Sequence, residues 1–345
     1  MSLLPYRKGN KTKFTNLLFQ LIRRCFVYIQ GADPSKICFS VSLLLSIFAQ
    51  NSKNMHTLSN EVLTVTVNDH GAELQNIIRN GVEYLWQGDP AFWGRRSPVL
   101  FPIVGSVWDK RYRVEGKEYN LGQHGFARDM DFVLVEATQT EIRFRLESNE
   151  ETLEKYPYPF ILEIAYKLRD NKIDVIWEVT NPSDNDLHFQ IGAHPAFLYP
   201  DYDIQSEERG YLSCDRTEGL ECIRIKEKGC VDAETKYPFI FPEDALYPLT
   251  SSTFDSIDTI MLQDAQISKV TLHRTDKSKW LSLDFKAPVV GIWSPPTKNA
   301  PFICLEPWYG RCDSVGYDGE YKDKDWMNTL APGEKFSSVY TIEIH

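Results

Sequence analysis

An all-β fold, and within it a large antiparallel β-sandwich, is predicted by three features of the sequence from Met55 onward. Apolar and polar residues alternate with a period of two through several short segments. Glycine and proline, 19 residues each, separate these segments with turn signals. No long stretch shows the 3.6-residue period of an amphipathic helix. Many strands between turns favour two packed antiparallel sheets.

Strands are predicted in chain order from this alternation. They span residues 63–67, 141–146, 162–168, 172–179, 280–285 and 340–344. Asp170 and Asn171 predict a hairpin turn between the third and fourth of these strands, and Pro332-Gly333 predicts a turn before the last. Because no linker interrupts residues 55–345, we expect one sandwich domain there.

Residues 1–54 differ in character from the rest of the chain. Basic residues surround a largely apolar stretch, and a second apolar run covers residues 37–49. That run is shorter than the ~18 residues that cross a bilayer, so no stable membrane span is expected. The basic part is long for a signal peptide, and no clear cleavage site follows. We interpret residues 1–54 as an extra segment outside the fold, either a start-site artefact with translation beginning at Met55 or a leader.

Composition narrows the range of partners. The 345-residue chain has a formal net charge of -10, which argues against nucleic acid and is compatible with a neutral sugar. Its seven cysteines are scattered, without a C-x-x-C pair, and this predicts reduced thiols in a cytoplasmic protein.

Three short stretches depart from the alternation, and each carries an ionisable residue. They are QHGFARD with His124, QIGAHPAF with His194, and CLEPWYG with Glu306. A neighbouring glycine or proline constrains the backbone there, so the side chain is aimed rather than packed. Taken singly, each residue also fits a structural role: a turn histidine, a bend before proline and an exposed strand end.

Other kinds of site are less well supported. His188 and His194 lie six residues apart with His124 upstream, but Gly192 and Pro195 interrupt the strand between them. No H-x-H or H-E-x-x-H pattern is present, so no metal is expected. The absence of G-x-S-x-G and of a glycine-rich phosphate loop disfavours a serine triad and a nucleotide cofactor.

Taken together, the motifs resemble the aldose 1-epimerase (galactose mutarotase-like) family, and within it the LacX-like branch. WGRRSPVLFPIVG at residues 93–105 is similar to the W-G-R-x-x-P-x-L-F-P-x-V-G signature of that branch. HGFARD, GAHPAF and LEPW then follow in the same order, and the resemblance covers essentially residues 55–345. It implies the β-supersandwich of that family.

The resemblance also implies a chemistry. Glu306 matches the general base that takes the proton of the sugar C1 hydroxyl, and His194 matches the general acid that protonates the ring oxygen. The ring opens to the aldehyde, C1 rotates, and closure on the other face gives the second anomer without a cofactor. His124 matches a histidine that hydrogen-bonds near the ring oxygen and orients the sugar.

Substrate-binding residues are carried over in the same way. Asp258 best matches the aspartate that binds a ring hydroxyl, with Asp255 as a substitute, and Arg95 matches the signature arginine. Arg95 also fits a surface salt bridge. Trp308, two residues from Glu306, is the favoured platform for the sugar's C–H face, whereas core positions are more typical for the other candidate tryptophans, Trp86, Trp93 and Trp108.

One position departs from the family pattern. Relatives often carry an arginine after the L-F-P-x-V-G segment, where this chain has Ser106, and loss of that donor puts the substrate in doubt. Three arginines are candidates to replace it: Arg95, Arg96 and Arg111.

The predicted function is therefore an aldose 1-epimerase that acts on a free aldohexose. A hexose-phosphate mutarotase is an alternative that requires an arginine cluster at the pocket mouth. A non-catalytic carbohydrate-binding sandwich is a third, although binding alone needs neither an acid nor a base. The sequence leaves the preferred aldose and the oligomeric state open.

Overall fold

In residues 55–345, the part of the chain that the computed structural model describes, nearly all of the regular secondary structure is antiparallel β-strand. The interpretation of residues 1–54 lies outside the described residues. In chain order the strands are β1 Met55–Ser59, β2 Leu63–Asn68, β3 Leu74–Arg79, β4 Val82–Glu83, β5 Val99–Leu100, β6 Arg111–Val114, β7 Lys117–Asn120, β8 Val133–Ala137, β9 Glu141–Glu147, β10 Ile161–Arg169, β11 Lys172–Thr180, β12 Leu187–Phe189, β13 Ile191–Ala193, β14 Ala196–Leu198, β15 Glu208–Cys214, β16 Leu220–Glu227, β17 Cys230–Phe239, β18 Tyr247–Thr250, β19 Thr259–Leu262, β20 Lys269–His273, β21 Lys279–Asp284, β22 Val289–Trp293, β23 Phe302–Tyr309, β24 Asn328–Leu330 and β25 Lys335–Ile344.

Helical structure is short in this part of the chain. The helix α1, Glu150–Lys155, starts with a capping box in which Asn149 and Thr152 each accept the other's backbone N–H through a side-chain oxygen. Three 3-10 turns cover Trp108–Lys110, Ala127–Asp129 and Tyr321–Asp323. None of the helices between residues 55 and 345 has the length and apolar character needed to cross a membrane.

All six predicted strands are confirmed, as β2, β9, β10, β11, β21 and β25. The predicted hairpin joins β10 to β11, with Arg169 opposite Lys172 and Asp170 in the left-handed region at φ 49°. The last strand begins at Lys335, five residues before the predicted start. The prediction missed its first half because these residues alternate between intermediate and exposed and present no buried apolar face.

The strands form two large antiparallel sheets and three small ones. The nine-stranded sheet has the order β18-β15-β20-β21-β25-β11-β10-β9-β8. An eight-stranded sheet has the order β17-β16-β19-β22-β23-β13-β5, with β14 also paired to β23. The strands β1 to β4 form a separate four-stranded sheet, and β12-β24 and β6-β7 form ribbons.

The main core lies between the two large sheets, as the sandwich prediction requires. Trp177 and Tyr340 from the nine-stranded sheet share one buried apolar cluster with Ile303 and Leu305 of β23. Because side chains alternate along a strand, the even-numbered residues of β23 project from the opposite face. That outer face of the eight-stranded sheet is where the candidate site lies.

A buried ion pair fixes the loop that follows β23. Lys324 and Asp313, whose side chains are 2% and 3% exposed, form an ion pair, and the second carboxylate oxygen of Asp313 accepts the backbone N–H of Trp108 at 2.8 Å. Arg311, also buried, pairs with Asp325. These contacts tie the segment after β23 to the loop after β5.

Replacing Lys324 with methionine should destabilise the protein by about 3–5 kcal/mol, because the Asp313 carboxylate would stay buried without its partner. The measurement is the free energy of unfolding in urea. The control is Lys322→Met, since Lys322 is exposed in the same loop. Equal stabilities of the two variants would show that the buried pair is not needed.

Candidate functional site

A cavity of about 460 Å³ opens on the outer face of the eight-stranded sheet. This volume lies within the range of ~300–1,000 Å³ that small-molecule sites span. His124, His194, Glu306, Asp258, Arg95 and Trp308, the six residues predicted from the sequence, all line it. A larger cavity of about 580 Å³ lies beside the loop after β7, but none of the six residues borders it.

Strand β23 supplies the base of the site. Cys304, Glu306 and Trp308 alternate with core residues, so all three side chains project from the outer face. The side chain of Glu306 is only 1% exposed, because β23 is central in its sheet and is covered on that face by loops.

Trp308 forms the floor of the cavity because two glycines make room for it. Its indole ring lies over Gly192 of β13 and Gly291 of β22, where an added Cβ would come within 2.6 and 2.5 Å of ring atoms. The indole Nε1 donates a hydrogen bond to the carbonyl of Ala193 at 3.2 Å. The neighbouring strands therefore fix the plane of this ring.

His194 reaches Glu306 through an interruption in the sheet. The strands β13 and β14 both pair with β23, with Gly192 opposite Trp308 and Ala196 opposite Cys304. The intervening residues His194 and Pro195 leave the ladder and form a bend opposite Glu306. The bend brings Nε2 of His194 to 3.2 Å from Oε2 of Glu306.

Aromatic rings hold the His194 imidazole. Trp93 stacks on it with ring centroids 4.7 Å apart and planes inclined by 26°. Trp293 and His124 approach with their rings nearly perpendicular to it, each at 5.5 Å. Nδ1 of His194 is buried and has no hydrogen-bond partner among the described residues. Its orientation thus depends on packing rather than on a hydrogen bond to the second nitrogen.

His124 is held by backbone hydrogen bonds at a strained position. It adopts φ 66°, its N–H donates to the carbonyl of Gly105 at 2.8 Å, and its Nδ1 accepts the N–H of Gly105 at 3.0 Å. Because Nδ1 is an acceptor, the neutral ring carries its proton on Nε2. Burial and the nearby His194 hold the pKa of His124 well below its ordinary value, so the ring is a neutral donor.

Burial shifts the pKa values of Glu306 and His194 in opposite directions and favours the neutral form of each group. Burial raises the pKa of Glu306 well above its ordinary value, and Asp258 adds to this. Burial also lowers the pKa of His194, with smaller contributions from Arg128 and Arg95. A neutral acid beside a neutral imidazole has the same number of protons as a carboxylate beside an imidazolium. The pair therefore contains one acid and one base in either form.

Of the two aspartates considered in the sequence analysis, Asp258 lines the cavity and Asp255 does not. Asp258, at φ 64° just before β19, lines the cavity and accepts a hydrogen bond from the Thr259 hydroxyl at 2.7 Å. Asp255 instead accepts the backbone N–H of Thr297 at 2.7 Å and does not border the cavity.

The three arginines proposed to replace the donor lost at Ser106 lie in different places. Of the three candidates to replace the position of Ser106, only Arg95 lines the cavity, and it also pairs with Asp129 at 2.8 Å. Arg96 donates to the carbonyl of Gln75, and Arg111 pairs with Glu118.

Arg128 is the additional cationic residue of the cavity. One end of its guanidinium donates to the carbonyl of Gln123 at 2.7 Å, and its buried Nε makes no hydrogen bond among the described residues but lies 3.8 Å from Oδ2 of Asp129. Burial lowers the pKa of Arg128 to about 10. Its position four residues after His124 was the available signal, because the 3-10 turn Ala127–Asp129 returns the chain to the cavity.

The tryptophans divide differently from the prediction. Trp308 lines the cavity as expected, but Trp93 does so too, although a core position had been favoured for it. Trp86 stacks on Phe302 in a buried cluster, and Trp108 lies under the Lys228 ammonium group. Trp293, which the sequence analysis did not single out, is the third tryptophan that lines the cavity.

The histidine combination considered for a metal does not form. His188 hydrogen-bonds the hydroxyl of Thr329 and contacts Tyr158, and it does not line the cavity. A different set of side chains comes together instead. His194, Cys304 and Glu306 each offer one ligand atom, and these three atoms lie within 4.8 Å of one another. Cys304 lies beneath the acid–base pair, fully buried.

The chain is similar to known proteins over most of residues 55–345. The family model described as aldose 1-epimerase matches residues 54–343. Protein LacX of Lactococcus lactis subsp. lactis is 33% identical over 296 residues, 83% of this chain and 98% of that protein. A galactose mutarotase related enzyme from Lactobacillus acidophilus is 35% identical with a TM-score of 0.78, over 84% of this chain and 97% of that one. A galactose mutarotase-like protein from Lactobacillus casei is 31% identical with a TM-score of 0.79, over 84% and 100%.

Gly291→Ala should destabilise the protein by about 1–3 kcal/mol, because the new methyl group would overlap the Trp308 ring. Urea unfolding measures the change. Gly122→Ala is the matched control, since a Cβ there meets no atom within 4 Å. A Gly291→Ala protein as stable as this control would contradict the close packing of Trp308.

Proposed function

The chain belongs to the aldose 1-epimerase family, a family of isomerases, and from this we propose that it interconverts the α and β anomers of a free aldohexose. The observation that carries the proposal is the contact between Nε2 of His194 and Oε2 of Glu306 at 3.2 Å. Both side chains line a cavity of suitable size, and Oε2 of Glu306 is buried without a hydrogen-bond partner within the described residues. A sugar entering the cavity can therefore engage both.

In the proposed first step, the Glu306 carboxylate takes the proton of the C1 hydroxyl while the His194 imidazolium protonates the ring oxygen O5. The C1–O5 bond breaks, and its electron pair goes to O5 while a carbonyl forms at C1. The open-chain aldehyde then rotates about the C1–C2 bond.

Ring closure returns both protons. The O5 hydroxyl attacks C1 and gives its proton to the neutral imidazole, and the carbonyl oxygen takes the proton that Glu306 carries. The pair ends in its starting state, so the cycle needs neither cofactor nor net proton exchange with solvent. A buried pair that always holds one proton suits a reaction whose forward and reverse halves exchange acid and base.

The remaining residues would hold the sugar. The fixed Nε2–H of His124 is a donor for the ring oxygen or a hydroxyl beside it, and the Asp258 carboxylate accepts from ring hydroxyls. The Trp308 ring offers an apolar floor for a C–H face of the sugar. Arg95 and Arg128 supply further donors at the wall.

We also propose a cytoplasmic location and no nucleic-acid partner. The net charge of -10 supports the second point. The five cysteines of residues 55–345, Cys214, Cys222, Cys230, Cys304 and Cys312, are free thiols, which fits a reducing compartment.

Glu306→Gln and His194→Ala should each lower kcat/KM for anomerisation by at least about 10²-fold, the lower end of what a positioned acid or base contributes. Polarimetry of α-glucose or α-galactose relaxing to equilibrium measures this, with the spontaneous rate subtracted. His188→Ala is the control, a histidine outside the cavity. Normal turnover by both cavity variants would exclude the proposed mechanism.

A hexose phosphate is the second candidate substrate, favoured by Arg95 and Arg128 together at the cavity wall. We expect the free hexose to be preferred, because Asp129 already pairs with Arg95 and Asp258 adds negative charge. The measurement compares kcat/KM for glucose and glucose 6-phosphate. A preference for the phosphate, lost in Arg128→Met, would replace our assignment. Calorimetric binding of sugar without turnover would instead support a carbohydrate-binding module.

A further inference from the structure

Three metal-ligating side chains meet at the wall of the cavity, and the anomerisation chemistry uses only two of them. His194, Cys304 and Glu306 each place one ligand atom within 4.8 Å of the others. We propose that these residues form a binding site for Zn²⁺ or another thiophilic divalent cation, and that an ion bound there inhibits the enzyme. The inhibition rests on the proposed function, because the ion would occupy the acid and the base at once.

The sheet fixes the spacing of the three donors. Cys304 and Glu306 lie two residues apart on β23 and share its outer face, and Cys304 pairs with Ala196, two residues after His194. Bonds of ~2.0–2.3 Å to a tetrahedral zinc ion place donors about 3.6 Å apart. Shifts of the donor atoms by about 1 Å, through side-chain rotation alone, therefore bring all three within bonding distance of one ion.

Binding of an ion would break no hydrogen bond of the Glu306 donor atom. Oε2 of Glu306 is buried and lacks a hydrogen-bond partner within residues 55–345, and so does Nδ1 of His194. Buried polar atoms in proteins are rarely left in this state. A cation that binds Oε2 of Glu306 and Nε2 of His194 gives the carboxylate oxygen the partner that it lacks, as the C1 hydroxyl of the sugar does in the proposed function.

The charges also balance. One proton leaves the Glu306–His194 pair and one leaves the Cys304 thiol, so that a thiolate and a carboxylate neutralise the two positive charges of the ion. A neutral centre avoids the repulsion that Arg95 and Arg128 would exert on a bare cation, and Asp258 opposes that repulsion further. Two protons are therefore released for each ion bound.

The donor set selects the kind of ion. One imidazole, one thiolate and one carboxylate, with a fourth position open toward the cavity, match the ligands of zinc sites that keep an open coordination position. A thiolate disfavours Mg²⁺ and Ca²⁺, which prefer oxygen donors. Among the described residues, this is the one group of three or more such side chains found close enough together to hold an ion.

Zinc inhibition tests the site in the full chain. Anomerisation of glucose is followed at increasing Zn²⁺ in the wild type, Cys304→Ser and Cys304→Ala, and each rate is divided by that variant's metal-free rate. Losing a second-sphere partner already lowers metal affinity by about 10–100-fold, so losing the thiolate should raise the inhibitory zinc concentration at least about 100-fold. Cys312→Ser is the matched control, a buried cysteine that lines the same cavity outside the three ligands.

Cadmium binding gives a readout that does not need activity. The wild type and Cys312→Ser should develop the ultraviolet charge-transfer absorption of a cadmium–thiolate bond with one Cd²⁺ per chain, and the Cys304 variants should not. If the wild-type protein shows the cadmium band but does not turn over hexoses, the metal site is supported and the proposed function is contradicted.

Two results would overturn the site. One is wild-type anomerisation that Zn²⁺ does not inhibit, or that a chelator does not restore. The other is unchanged zinc sensitivity, or an unchanged cadmium band, in both Cys304 variants.

Discussion

The site depends on one feature of strand pairing: β13 and β14 are two short strands that both pair with β23, and two residues between them leave the ladder. The bend at His194 and Pro195 places an imidazole directly over the outer face of β23, at the position where Glu306 projects. The register is the same on both sides of the bend, so His194 lies opposite Glu306, and residues opposite each other in an antiparallel pair project from the same face. The contact between acid and base is therefore built into the sheet.

Burial is what gives this contact its chemical character. In water a histidine and a glutamate would ionise independently near their ordinary pKa values. In the wall of the cavity, burial disfavours both charges, raising the pKa of Glu306 and lowering that of His194, so each group is shifted toward its neutral form. The Cys304 thiol lies close to this pair and supplies the sulfur donor of the proposed metal site.

Packing substitutes for hydrogen bonds in holding the pair. The imidazole of His194 is fixed by the faces and edges of Trp93, Trp293 and His124, and the Trp308 floor is fixed by the bare backbone of two glycines. Nitrogen and oxygen atoms that would otherwise bond to protein are thereby left for a ligand. The rigid surroundings, rather than local polar contacts, keep these groups in place.

The sequence by itself determined the all-β architecture, six strands at their correct places, and the three motifs that carry His124, His194 and Glu306, because alternation and glycine or proline bends are local signals. Tertiary structure decided which residues join them. Arg128 and Trp93 reach the cavity from loops that no periodicity encodes, and Trp293 reaches it from the end of β22. Cys304 has the sequence context of an ordinary core cysteine, and only the pairing of β23 places it beside His194 and Glu306. Contacts between distant strands depend on register and on the faces that pack together, and a single sequence specifies these only through the complete fold.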